Sequence, residues 1–286
     1  MRGGFGKACV IATFTIGSGA SLAQPCAVPA RDCSGTEAFC GQLMPFEPVT
    51  GPGYDNYPIN GETFDKQYRS FARRDLQMLV KHAAATVHCR AADWEPGNKK
   101  PLGLGDMSES DGAIPGSSNG RPGHPKGTHV NGRDMDIAYY QLLGDDNRLR
   151  AVCPHRVDGK DVHHCVSAPT NLDVRRTALF IGTALISDRV RVIGVDGRIR
   201  PLLRAEMDRQ CVSGDLPRKA CQRKGDIAAE EKDTGKGWFR HHHHHFHVSL
   251  KKTASRTGLR ENLSGLGAEL RRLEKRAAPG HTVVTD

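Results

Sequence analysis

Residues 245–250, His-Phe-His-Val-Ser-Leu, alternate between polar and apolar side chains. In an extended strand successive side chains point to opposite faces. Phe246, Val248 and Leu250 therefore share one face, and His245 and His247 share the other. Such a pattern specifies a strand in one register, because a slip by one residue turns every side chain to the wrong side. Upstream stand Trp238, Phe239 and Arg240, then consecutive histidines from His241 to His245. Two imidazoles on one strand face are costly to explain as packing. They suit a metal ligand with a catalytic neighbour.

A second segment has the same logic. Residues 129–136 read His-Val-Asn-Gly-Arg-Asp-Met-Asp and open a predicted strand over 133–140. Met135 and Ile137 fall on one face, Asp134 and Asp136 on the other. Gly132 permits a turn that folds His129 back towards the strand. A His, Asp, His set suits zinc at about 2.0–2.2 Å, and three protein ligands leave a position open for chemistry. His129, Asp136 and His247 are the expected zinc ligands, with His245 as base or oxyanion stabiliser. Asp134 is a candidate to orient a ligand imidazole, or else pairs with an arginine on the strand face. His124 is a candidate for the substrate groove, or a plain loop histidine. An engineered tag would lie at a terminus beside a linker, not inside an apolar strand pattern. A histidine-rich metal buffer explains 241–245 but not the separate pair His129 and Asp136.

The cysteines place the chain. Residues 8–19 are apolar or small, follow Arg2 and Lys7, and precede Ser21 and Ala23 at the −3 and −1 positions of a cleavage site. Residues 1–23 therefore read as a secretory signal, too short in its apolar run to span a bilayer. Of the nine cysteines, only Cys9 lies in it. The even remainder in an exported chain predicts disulfides, with the pairing open. No C-x-x-C pair supports a cysteine zinc site. Loss of Arg2 and Lys7 takes the net charge from +9 to +7. That excess favours polyanionic surroundings such as cell-wall carboxylates. The charges are scattered, with no nucleic-acid motif and no membrane-inserting segment.

The rest is organised around these motifs. Residues 24–60 read as an irregular arm rich in Cys, Pro and Gly, 61–255 as the catalytic domain, and 256–286 as a basic, partly helical tail. A helix is expected over 64–88, from apolar positions at three- and four-residue spacing. Residues 95–128 form a long Gly/Pro/Ser loop containing Asp106, Glu109 and Asp111. A helix capped by Asn171 or Asp173 runs to about Ile186. A strand over 190–195 and a short helix over 200–207 follow, then a polar stretch, 208–236. The mixture without regular alternation predicts an α+β fold. In it a small antiparallel sheet carries the zinc site, with flanking helices, long loops and disulfide staples.

Taken together, H-x(6)-D and H-x-H resemble the LAS zinc metallopeptidases, and most of all the penicillin-insensitive murein endopeptidases. Three stretches carry the resemblance: Gly-Asp-Met-Ser at 105–108, residues 129–137, and residues 238–250. It covers roughly residues 60–250. It implies one zinc ion on His129, Asp136 and His247, and His245 as catalytic histidine. A further family histidine, three residues upstream, falls on His242. Counting from Trp238 gives His241 instead, and strand parity favours His241 or His243. The implied substrate is the peptidoglycan peptide stem, cut between D-alanine and a diamino acid in the periplasm or beyond the cell. A D,D-carboxypeptidase, another wall peptidase and a non-catalytic zinc or metal-buffering protein are the alternatives.

Overall fold

A computed structural model describes residues 26–59, 61–63, 68–234 and 238–252. The expected signal segment and the basic tail lie outside the described residues. The arm holds a helical turn α1 (Glu37–Cys40) and strands β1 (Leu43–Pro45), β2 (Thr50–Gly51) and β3 (Tyr54–Asp55). Then come β4 (Phe71–Arg73), α2 (Arg74–Arg90), β5 (Leu102–Gly103), β6 (Asp134–Ala138), and the hairpin β7 (Arg156–Val157) and β8 (Lys160–Asp161). The remainder is α3 (Val174–Leu185), β9 (Val190–Gly194), α4 (Ile199–Ser213), α5 (Arg218–Gln222), β10 (Ile227–Ala228) and β11 (His245–Leu250). Among the described residues, no helix is long and apolar enough to cross a membrane.

The central sheet runs β10-β9-β11-β6. Strand β11 pairs antiparallel with both neighbours, while β10 pairs parallel with β9. The sheet is therefore mixed at one edge, not purely antiparallel as the sequence suggested. Its apolar face is the alternating set read from the sequence. Phe246 meets Phe180 of α3 at 5.3 Å between ring centroids and Tyr139 at 5.7 Å. Met135, Ile137, Val248 and Ile193 are fully buried in the same core. Asp173 caps α3 by accepting from the Arg176 N–H, as the cap motif predicted.

Two helices differ from expectation. Of the helical pattern over 64–88, positions 64–67 lie outside the described residues, and the helix starts at Arg74, because Phe71 to Arg73 are strand. The backbone there is taken from both sides: β4 pairs with β1, and Phe71 exchanges two hydrogen bonds with Ser108. Helix α4 runs past 207 to Ser213, ending at Gly214 with φ +81°. Ion pairs of Arg209 with Glu206 and of Asp208 with Lys224 let these polar residues stay helical. The arm is more regular than expected, since β3 joins β2 antiparallel and β5 parallel.

All eight described cysteines are paired: Cys26–Cys89, Cys33–Cys40, Cys153–Cys165 and Cys211–Cys221. The first fastens the arm to the end of α2. The last joins α4 to α5. Bridges of this kind stabilise mainly by restricting the unfolded chain, typically by about 2–4 kcal/mol each.

Candidate metal centre

The register of β11 on β6 sets His247 directly opposite Asp136, and Ser249 opposite Asp134. All four face away from the Phe246 side and are buried. Cross-strand partners on one face are close by geometry alone. Here His247 Nδ1 lies 2.9 Å from Asp136 Oδ1.

His129 arrives by a tight route. It has φ +53°, Asn131 +56° and Gly132 +60°. Gly132 is demanded twice over. A Cβ there would also come within 2.7 Å of the Arg73 nitrogen and 2.8 Å of the Ala72 Cα. Left-handed backbone at a non-glycine residue costs free energy and marks a position over-determined by its surroundings. The reward is placement: His129 Nε2 lies 3.3 Å from Asp136 Oδ1 and 3.2 Å from His247 Nδ1.

The residues 105–108 build the floor. Gly105 N–H donates to the Asp136 carbonyl and Asp136 N–H to that of Asp106, extending the sheet past β6. His129 Nδ1 donates to the Met107 carbonyl at 2.9 Å, which leaves Nε2 with its lone pair towards Asp136. His247 is fixed likewise: Nε2 faces Asp134 Oδ1 at 3.1 Å, leaving Nδ1 to the centre. The Ser249 hydroxyl donates to the same carboxylate. Three donor atoms from three segments thus stand 2.9–3.3 Å apart. Ligands on arms of about 2.0–2.1 Å at tetrahedral angles are separated by roughly 3.3 Å. The trio has the spacing of one face of such a coordination sphere.

More imidazoles surround it. His245 Nε2 is 3.4 Å from Asp136 Oδ1. His124 Nε2 is 3.8 Å from Asp136 Oδ2, and its ring packs on His129 at 3.8 Å. His124, His129 and Asp136 also form a group able to hold a metal ion, with ligand atoms within 4.8 Å of one another. His124 Nε2 is closer to Asp106, at 2.8 Å, and Arg69 binds the same Asp106 oxygen at 3.0 Å. Asp106 belonged to an acidic stretch and to the Gly-Asp-Met-Ser segment without a role of its own, and Arg69 carried no signal. Trp238 completes the wall. Its indole stands 5.6 Å from the His247 ring and packs on Gly194, where a Cβ would collide with it.

The run 241–244 does not continue the strand, since β11 begins at His245 and His241 has φ +71°. Strand parity therefore does not extend to those residues. The rings of His244 and His242 both lie beside that of His245, at 4.6 and 5.2 Å. His242 Nδ1 donates to the Arg240 carbonyl at 2.9 Å. His243 turns to the other side and stacks on His155 at 4.9 Å.

Electrostatics divide the imidazoles. For His247 burial disfavours the cation, but hydrogen bonds and charge from Asp134 and Asp136 outweigh it and raise the ring to about 9. Burial, reinforced by His244, His242 and His247 against the pull of Asp136, pushes His245 well below the ordinary imidazole range. Burial and the nearby His247 lower His242 to about 4. Asp136, although buried, is held well below the usual carboxylate range by the surrounding His245 and His129 imidazoles and by its hydrogen bonds to His129 and His247. Two ionised carboxylates, Asp134 and Asp136, thus create a buried site for a cation.

Compared with known proteins, the chain matches no protein-family model and none of the curated proteins. A surface cavity of about 480 Å³ is lined by Gly41, Leu43, Arg73, Asn131, Arg133 and Lys252, none of them in the cluster. The convergence of donor atoms, not cavity size, marks the site.

Proposed function

We propose that the chain is a zinc peptidase that hydrolyses the D-alanyl–diamino-acid cross-links of peptidoglycan. The observation that carries this reading is the convergence of His129 Nε2, Asp136 Oδ1 and His247 Nδ1. The donors suit zinc: two imidazole nitrogens and one carboxylate, each ligand imidazole oriented by a hydrogen bond on its other nitrogen. Bound there, zinc would supply Lewis acidity to a carbonyl and acidify water. The LAS-type motifs in the sequence supply the substrate class. A disulfide-stapled, basic chain is compatible with work in a cell wall.

The protein's own groups divide the remaining labour. His245 presents Nε2 beside the trio, and burial keeps it uncharged at neutral pH, the form that accepts a proton. It is placed to take a proton from the attacking water and return it to the leaving amine. His242, with its Nδ1–H held by the Arg240 carbonyl, keeps Nε2 unprotonated, a hydrogen-bond acceptor on a ring 5.2 Å from that of His245. Asp106 and Arg69 fix His124 at the rim, where it can meet the peptide.

Digestion of purified cross-linked muropeptide dimers, with mass analysis and with or without a zinc chelator, tests the proposal. Dimers should be split into monomers, and chelator should stop the reaction. Intact dimers with pentapeptides losing terminal D-alanine would make the enzyme a D,D-carboxypeptidase instead. Two intact substrates would overturn the peptidase reading.

A further inference from the structure

We propose that His155, Asp161 and His243 form a second metal site, for zinc or a similar borderline divalent ion, tying the histidine run to a disulfide-closed hairpin. The ligand atoms of these three residues lie within 4.8 Å of one another. Strands β7 and β8 pair Arg156 with Asp161 and Val157 with Lys160, around a turn at Asp158 and Gly159 with φ +50° and +75°. His155 and Asp161 are thereby brought side by side, Nε2 to Oδ2, at 3.8 Å. The Cys153–Cys165 bridge closes the base of the hairpin. The backbone N–H of Val152, next to Cys153, donates to the His243 carbonyl, so the histidine run is already moored there.

The donor chemistry fits a cation. His155 Nδ1 faces the Cys153 carbonyl at 3.2 Å, and a carbonyl only accepts, so Nδ1 carries the proton and Nε2 keeps its lone pair towards Asp161. The His163 N–H donates to Asp161 Oδ1, holding that carboxylate from its other oxygen. His243 gives an independent indication. Its side chain is only 3% exposed, and its buried Nδ1 has no hydrogen-bond partner among the described residues. An unsatisfied buried nitrogen costs about 1–3 kcal/mol, a penalty that ligation of an ion removes. Tetrahedral ligands on arms of about 2.0–2.2 Å stand roughly 3.3–3.6 Å apart. A small rotation of the part-exposed Asp161 closes the difference, and its exposure provides the entry path. His163, with Nδ1 3.6 Å from Asp161 Oδ1, stands ready as a fourth ligand and third imidazole. The set is distinct from the first centre, sharing no residue with it, and it does not depend on peptidase activity.

Zinc titration of the oxidised full chain against a chromophoric chelator at neutral pH tests this. The wild type should take up two tight equivalents. His155→Ala and Asp161→Asn should each remove one and spare the other, with the Cys153–Cys165 bridge and melting temperature of the zinc-free protein retained. His129→Ala should leave the hairpin equivalent in place. Hydrogen exchange supplies a second readout: zinc should slow exchange across 153–165 in the wild type and in His129→Ala, but not in His155→Ala. A wild type whose single equivalent is lost in His129→Ala and kept in His155→Ala, or His155→Ala and Asp161→Asn variants that bind as much zinc as the wild type, would overturn the proposal.

Discussion

Asp134 Oδ1 lies 3.1 Å from Nε2 of His247, the nitrogen turned away from Asp136. One ring is thereby held between two carboxylates on neighbouring positions of the same strand face. The contact fixes both the tautomer and the plane of the imidazole. Asp134→Asn should keep the fold and weaken metal affinity by about 10–100-fold. Competitive zinc titration checks it, and unchanged affinity would show that Asp134 is only a partner of Ser249.

His247 and His245 should separate cleanly. His247→Ala should lose the central metal and the hydrolytic activity together. His245→Ala should retain the metal, with turnover down roughly 100-fold or more if it moves the proton. Metal content and muropeptide turnover measured on the same samples read both. Retained tight zinc in His247→Ala at this centre would refute the ligand assignment. Unchanged turnover in His245→Ala would shift the role to His242.

Gly132→Ala tests how His129 is delivered. The new Cβ meets backbone atoms of Arg73 and Ala72, which cannot swing aside, and φ +60° strains any side chain. Stability should fall by about 2–3 kcal/mol. Because the turn carries His129, zinc affinity should fall as well. Chemical denaturation with and without zinc measures both effects, and a variant matching the wild type in each would remove the turn from the argument.

The metal-free protein should be most stable near pH 6.5. His247 is raised from 6.5 to about 9, so its contribution is full below pH 6.5 and is lost as pH rises through about 9. The lowered groups act in the opposite direction. His242 and His243 fall to about 4, chiefly through burial, so stability drops as pH falls from 6.5 towards 4. Each group is worth at most ~3 kcal/mol. Zinc should abolish the alkaline limb, because His247 is then a neutral ligand at every pH where the ion stays bound. Thermal melts from pH 4 to 9.5, with chelator and with zinc, show whether it does.

Much of this was written in the sequence because strands have a period of two. The alternation in 245–250 and in 133–140 assigned His245, His247, Asp134 and Asp136 to one face and Phe246, Val248, Met135 and Ile137 to the other. Asp173 announced the start of α3, and Gly132 the turn beneath His129. The even cysteine count announced the four bridges but not their partners. Local pattern failed where the chain stops being regular. The helical spacing through Phe71 gave way to a strand, because β1 and residue 108 took its backbone groups. Parity does not reach the upstream histidines, because His241 turns through a left-handed conformation before β11 begins.

The opposition of His247 to Asp136 could not be read from either segment, for register is a property of two strands and not of one. Nor could the pairing of Asp106 with Arg69 and His124, or of Asp161 with His155 beside His243. The sequence by itself determined which residue types could do metal chemistry and which face of each strand would hold them. Tertiary structure alone decided which of them meet. Convergence of His129, Asp136 and His247 to about 3 Å depends on sheet register and on a turn at Gly132, and each joins residues far apart along the chain.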